Sequence, residues 1–501
     1  VDGREVPIEF FTEVRGGTAV PAPDAAVRAD RSIVPALAPG VPVSTSYLVF
    51  LDEYFATAPE RDRMLRSLIG QLPNLGTDDR MAVVAYNGRS VDMLSTWSSS
   101  VPALTRTLNS AFDRPAYGLQ RDAERRSFDS SLRLRDRDAL GQGNTGGLPV
   151  ADAQLDIEEI VEAERIGEQV RRTVGAAAAA LRGFANPPGR KVMMLYAGCW
   201  PYNPAQWLVS DTSRAIYTTS VLPGETLYRP LVDTANRLGY TLYAVDAVGL
   251  ATPAADAALD APRDVVAGTP FTDRERAFER ELEEENALNQ LARATGGRAL
   301  LNSAAADAFA RTVADTRSYY WLGFTPDWRG DDERYDVRVR LRDGVRGKLR
   351  ARRSYSDLSR TTEVTMMVES ALLFGDAPGA EALPARFGEA TRAGFGKVTV
   401  PLTVAIPVHA LTFLPQDADT WLAEAELRIA VRDEGGDTAD IPVIPISLRG
   451  PKPPEGEGYK PYETTVRLRK RKHDVVISLY DRASGKILTS RLVIDPDDDR
   501  R

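Results

Sequence analysis

The chain has 501 residues, too many for one ordinary domain, so two or three are expected, and its 43% hydrophobic and 27% charged residues suffice for sizeable cores. With 63 basic and 71 acidic residues the net charge is −8, which excludes a general nucleic-acid binder, since that would carry a basic surplus. A single cysteine, Cys199, excludes an internal disulfide; two distant histidines, His409 and His473, leave little material for a zinc site or a Ser-His-Asp triad; and no apolar run is long enough to span a bilayer.

Residues 1–45 read as an extended arm and linker, with strand composition in Val6–Val14 followed by an Ala-, Pro- and Gly-rich stretch. The chain opens on Val1 without a signal peptide, which suits a processed product or an excerpt. From Ser46 to about Asn302, strands alternate with helices. Apolar runs at Tyr47–Leu51, Met81–Tyr86, Lys191–Ala197 and Tyr240–Val245 are strands. Helices are predicted over about Pro59–Leu72, Ala153–Phe184 and Asp273–Ala294, and this alternation implies parallel βαβ units. Residues 114–148 interrupt the order. Their charge and their glycines predict a solvated surface loop, or a lid over the ligand edge of the sheet. A short helix at Ala304–Thr316 leads to a β-extension over 318–356, with strands at Tyr335–Leu341 and Leu349–Tyr355 around an Asp343-Gly344 turn. From 361 to 496 helical periodicity is lost. Alternating runs at Thr365–Leu373, Val398–Val408, Trp421–Val431, Ile441–Leu448, Tyr462–Leu468, Asp474–Tyr480 and Lys486–Ile494 predict an immunoglobulin-like β-sandwich. Residues 497–501 form a charged tail. The fold class is therefore α/β, a doubly wound and mostly parallel sheet, with a C-terminal all-β sandwich.

The first of these strands, Tyr47-Leu-Val-Phe-Leu-Asp52, is apolar throughout and ends abruptly in an acid, as a strand buried on both faces does at the ligand edge of an open sheet. It resembles the first strand of a von Willebrand factor A (VWFA) domain. Further segments resemble, in order and spacing, a bacterial VWFA-related branch of that superfamily. They are Gly76–Tyr86, Tyr243–Leu250, Leu291-Ala-Arg-Ala-Thr-Gly-Gly-Arg-Ala-Leu300, and Tyr320–Pro326 followed by Arg352–Tyr355. Asp2–Phe11 is similar to the end of a β-module that precedes the domain. The resemblance covers about Ser46–Tyr355 and implies an exported, non-enzymatic protein of binding or assembly.

Members of that superfamily often bind through a metal-ion-dependent adhesion site, which combines an Asp-x-Ser-x-Ser loop, a threonine and an aspartate after the fourth strand. A hard Mg²⁺ ion needs such oxygen ligands. Here the loop is Asp52-Glu53-Tyr54-Phe55-Ala56, so Tyr54 and Ala56 stand where the serines would be, and Tyr196–Trp200 offers no aspartate. Asp52 and Thr145 are vestigial candidates, and a degenerate site without metal or other cofactor is expected. Asp52, Glu53 and Asp246 are expected to gather at the carboxyl edge of the sheet. They would form either a non-standard polar site or a structural one in which Asp52 accepts backbone N–H groups. Tyr54, Thr145, Trp200 and Tyr202 would complete a protein-binding face with them.

The expected function is a non-catalytic protein-interaction or assembly component outside the cytoplasm, secreted or periplasmic, and not an enzyme. Its partner would be a protein or a second copy, met by exchange of the Val6–Val14 strand, and not a nucleic acid. Two alternatives stay open: a metal-dependent adhesin with non-standard ligands, and a hydrolase using the acidic edge. The basic run Arg467–His473 reads as a charged edge strand, or as a patch for an acidic partner.

Overall fold

The computed structural model describes residues 1–20, 40–141, 157–184, 189–198, 200–209, 222–247, 273–374, and 379–496 apart from 380, 395, 418, 435–437, 440, 454, 455 and 457. Thr145 and Cys199 lie outside the described residues. The chain divides into two compact units, one of residues 1–329 and 333–357, the other of residues 330–332 and 358–501.

The first unit opens with strands β1 (Phe10–Arg15) and β2 (Thr18–Val20). The central sheet takes β3 (Thr45–Asp52), β4 (Arg80–Tyr86), β5 (Val91–Ser98), β6 (Arg190–Ala197), β7 (Tyr240–Asp246) and β8 (Arg298–Leu300). Its spatial order is β5-β4-β3-β6-β7-β8. All pairings are parallel except the antiparallel β4–β5 edge. Helices α1 (Ala58–Gln71), α2 (Val101–Ser110), α3 (Gly118–Gly141), α4 (Ile157–Gly183), α5 (Pro204–Val209), α6 (Gly224–Leu238), α7 (Asp273–Thr295) and α8 (Ala308–Thr316) connect and cover these strands.

Every residue of β3 is buried. Alternate side chains Tyr47, Val49 and Leu51 enter one core with Met64, Leu65 and Leu68 of α1, Leu104 and Leu108 of α2, and Phe309 and Val313 of α8. Period-2 geometry sends Leu48 and Phe50 to the opposite face, where they are equally buried. Helix α1 starts where Thr57 donates its N–H to Glu60 Oε2 at 2.8 Å, with Pro59 in the first turn. The Thr-Gly-Gly element has a geometric reason. Thr295 Oγ1 accepts the Leu242 N–H at 3.0 Å, and a Cβ on Gly297 would lie 1.9 Å from the Leu242 carbonyl oxygen, so only glycine lets β8 reach β7.

Strand β9 (Tyr319–Gly323) pairs antiparallel with β1, Phe10 opposite Gly323 and Val14 opposite Tyr319. Within the segment expected to exchange, Phe10–Val14 pairs with β9 of its own chain, and Val14, Ala19 and Val43 are buried against Tyr319. The β-extension is shorter than predicted. Only β10 (Arg334–Asp336) and β11 (Ser354–Ser356) pair, with Val337 N–H donating to Arg353 O at 2.8 Å. The insertion predicted as a loop holds helix α3 instead. It carries no proline between 119 and 141, and ion pairs such as Arg121–Glu124 at 2.9 Å link successive turns.

The second unit begins with helix α9 (Arg360–Phe374). This corrects the strand predicted at Thr365–Leu373. Val364, Val368, Ala371 and Leu372 fall at helical spacing and are buried on Ala430, Val476, Tyr480 and Ile487, and packing of that face overrides the β-branched composition. The rest is β: β12 (Glu381–Ala382), β13 (Ala385–Phe387), β14 (Thr391–Arg392), β15 (Lys397–Pro407), β16 (Leu414–Pro415), β17 (Trp421–Asp433), β18 (Val443–Gly450), β19 (Tyr459–Arg469), β20 (His473–Asp481) and β21 (Ile487–Ile494). One sheet contains β17 at its centre, with β20 and β21 on one side and β18 paired along its other edge; a second is built on the β15–β19 pair. Both contribute to one core, including Leu402, Val404, Leu427, Val475 and Ile477. The coarse expectation of a mixed α/β region with a parallel sheet followed by a largely β region holds.

Candidate functional site at the carboxyl edge of the parallel sheet

The chain leaves β3 toward β4 on one side and meets β6 on the other. That reversal opens the crevice where open α/β sheets take ligands, and Asp52 sits at its mouth. The side chain is 1% exposed. Its Oδ1 accepts the backbone N–H groups of Tyr54 at 3.0 Å and Phe55 at 3.1 Å. Its Oδ2 accepts the indole N–H of Trp200 at 2.6 Å. Burial pushes the carboxyl up to about 6, against the pull of the Trp200 and backbone donors.

Trp200, the first described residue after the β6 turn, is fully buried and stacks on Tyr228 with ring centroids 6.0 Å apart. Tyr228 donates its hydroxyl to Pro201 O at 2.7 Å, fixing the turn. The loop itself is pressed between two glycines. A Cβ on Gly118 would lie 2.5 Å from the Ala56 carbonyl carbon, and one on Gly198 2.6 Å from that of Phe55. Gly118 and Tyr117 donate their N–H groups to Ala56 O and Glu53 O at 3.0 and 2.8 Å. The start of α3 is thereby tied onto the loop.

The three carboxylates differ in their surroundings. Glu53 is fully buried and takes both arms of Arg114, Nε to Oε1 at 2.6 Å and Nη2 to Oε2 at 2.9 Å; Arg114 Nη2 also reaches Asp92 Oδ2 at 2.5 Å. Burial raises the Glu53 carboxyl above its ordinary value and Arg114 opposes that shift. Asp246, paired in register with Ala197, is half-buried, and its charge bears on Glu281: burial and then Glu285 and Asp246 push the Glu281 carboxyl up. Among the described residues no group of three or more His, Cys, Asp and Glu side chains is arranged to hold a metal ion.

The expected binding face is smaller than the sequence suggests. Asp52, Glu53 and Trp200 are buried and offer no contact surface, and Thr145 lies outside the described residues. Tyr54, Tyr202 and Asp246 remain, each half-buried. Tyr54 lies under the Arg121 guanidinium, 5.0 Å from its ring centroid. Beside it, Arg165 of α4 bridges to Glu124 of α3 at 2.8 Å and to Glu162 at 2.5 Å. These charges line a small cleft whose apolar walls are Phe55, Pro201 and Trp207. Sequence reasoning passed over Arg114, Asp92, Gly118 and Gly198. None carries a local signal, since each acts on a residue far away in the chain.

No protein-family model and no curated protein matches the chain. Solved structures similar to it include a Bacteroides uniformis beta-glucuronidase, at 12% identity over 23% of this chain and 13% of that one, with a TM-score of 0.15. A putative beta-galactosidase from Bacteroides fragilis is 13% identical over 22% of this chain and 16% of its own, again at 0.15. The SpRpn10 VWA domain is 11% identical and is matched along 100% of its length by 45% of this chain, at 0.17. The chain spans about one sixth or less of those glycosidases. The expectation that this chain is not an enzyme is withdrawn, because glycoside hydrolases stand among its structural neighbours. A TM-score of 0.15 assigns it no activity either. The chain is a weak structural neighbour of a VWA domain. Among the described residues no helix is long and apolar enough to cross a membrane.

Proposed function

We propose that this chain is a protein-binding or assembly component of the cell envelope or exterior. It acts through a VWFA-related domain whose adhesion site works without a metal ion, beside an immunoglobulin-like sandwich. One observation carries this reading: both oxygens of Asp52 are committed to protein donors, with the Trp200 indole N–H 2.6 Å from Oδ2. Each carboxylate oxygen already accepts N–H donors of the protein, two at Oδ1 and one at Oδ2. Tyr54 and Ala56 supply no short hydroxyl, and Gly118 and Gly198 close the loop from both sides. The site keeps its position at the switch point, and binding falls to what is accessible there: Tyr54, Tyr202, Asp246 and the charged first turns of α3.

Isothermal titration of the intact chain with Mg²⁺, Mn²⁺ and Ca²⁺ tests the metal-free reading. One-to-one binding abolished by Asp52→Ala would overturn it. The binding face is tested by affinity capture with the chain and its Tyr54→Glu/Tyr202→Glu/Asp246→Lys variant, read by quantitative mass spectrometry. An identical set of captured proteins would remove this edge as the interface.

A further inference from the structure

At the opposite, amino-terminal end of the central sheet the chain throws out a basic arm. Between Val337 and Arg353, eight of seventeen residues are Lys or Arg and only Asp343 is acidic, in a chain whose net charge is −8. The arm is closed at its base by the β10–β11 ladder and turns where Val345 N–H meets Arg342 O at 3.1 Å. Its returning limb is pinned to the domain. Arg350 holds Asp315 with Nη1–Oδ2 at 2.8 Å, Arg353 N–H donates to Ala294 O at 3.2 Å, and Arg352 donates to the Gly239 carbonyl oxygen, just ahead of β7. Arg338, Arg340, Arg342, Arg346, Lys348 and Arg353 are exposed, and their side-chain cations have no hydrogen-bond or ion-pair partner among the described residues.

Apolar side chains are interleaved with these cations. Leu341 is 40% exposed, Val345 58% and Leu349 45%, all three around the tip. On the outgoing limb Arg338, Arg340 and Arg342 are exposed, while Val337 and Val339 between them are half-buried. The arm contains no aromatic residue on which a nucleobase would stack.

We propose that this arm docks on an anionic lipid surface, with Leu341, Val345 and Leu349 entering the headgroup–acyl boundary and the unpaired cations meeting lipid phosphates. Charge complementarity selects an anionic partner, and exposed aliphatic residues among the cations select a bilayer over a soluble polyanion. The carboxyl edge at Asp52 points away from that end of the sheet, so membrane docking leaves it accessible.

Vesicle flotation of the intact chain tests the proposal, using phosphatidylglycerol–phosphatidylcholine vesicles against pure phosphatidylcholine. Binding to the anionic vesicles is expected to exceed that to neutral ones by at least about tenfold and to collapse at high salt. Arg342→Ser/Arg346→Ser/Lys348→Ser and Leu341→Ser/Val345→Ser/Leu349→Ser should each lose most of it, while Arg342→Lys/Arg346→Lys retains it; circular dichroism verifies that each variant is folded. Equal binding to neutral vesicles would overturn the proposal, as would an unchanged serine variant in either set. So would tighter binding to a single-stranded oligonucleotide or an acidic polypeptide than to the vesicles.

Discussion

Asp52 carries two opposed influences, donors that favour its charge and burial that disfavours it, and burial dominates. Its folded-state value, raised from 3.8 to about 6, means the native state holds the proton more tightly than the unfolded chain. The associated stability is fully present below the unfolded value and is lost as pH rises through about 6. Relative to Asp52→Asn, the wild type should therefore lose about 2 kcal/mol between about pH 4.5 and about pH 7.5, since one pKa unit is about 1.36 kcal/mol. Denaturant unfolding of both proteins across that range checks this; a gap that grows in favour of the wild type as pH rises would contradict it. The glycine contacts give a second expectation. Gly118→Ala pushes a methyl group against the Ala56 and Phe55 backbone and should cost about 1–3 kcal/mol in the same assay.

At the scale of elements, α9 shows how a buried charge fixes a helix on a sheet. Arg428 is fully buried; its Nη2 donates to Glu426 Oε2 at 2.6 Å and to Thr361 O at 2.8 Å, and its Nε donates to Thr365 Oγ1 at 2.9 Å. Arg428→Met leaves the Glu426 carboxylate without its main partner and should destabilise by about 3–5 kcal/mol. Arg428→Met/Glu426→Leu removes both charges and should recover much of that loss. Urea titration of the single and double variants separates the cases, and a double variant no better than the single would show that packing, not charge, sets the cost. The same helix marks a limit of pattern reading. Its threonines and valines suit a strand, and only the sheet beneath it, with Arg428 on β17, selects the helical face. Helices α1 and α7, by contrast, are legible from apolar spacing and from the Gly296-Gly297 stop, because those signals are local.

At the scale of the molecule, each unit has its own core, one around β3 and one between the two β-sheets of the second unit. Residues 358–501 expressed alone should unfold in a single cooperative transition. Within the second unit Asp332 caps α9 from a distance: Oδ1 accepts Ser359 N–H at 2.6 Å, and Oδ2 accepts the hydroxyls of Ser359 at 2.8 Å and Thr362 at 3.0 Å. Asp332→Ala in the full chain should lower the stability of that unit by about 1 kcal/mol, as a lost N-cap does. Calorimetry resolves the effect, and an unchanged second transition would dismiss the cap. By itself the sequence determined the alternation of strand and helix, the apolar β3 ending in Asp52, the absence of serines after it, and the β character of the C-terminal region. These are written in neighbouring residues through side-chain period and residue type. Tertiary structure alone decided what Asp52 meets. Its indole partner lies 148 positions away in the chain, the Glu53–Arg114 pair spans 61, and Val14 finds Tyr319 across the whole first unit. Such contacts depend on how the sheet winds, and no local pattern encodes where two distant turns come to lie side by side.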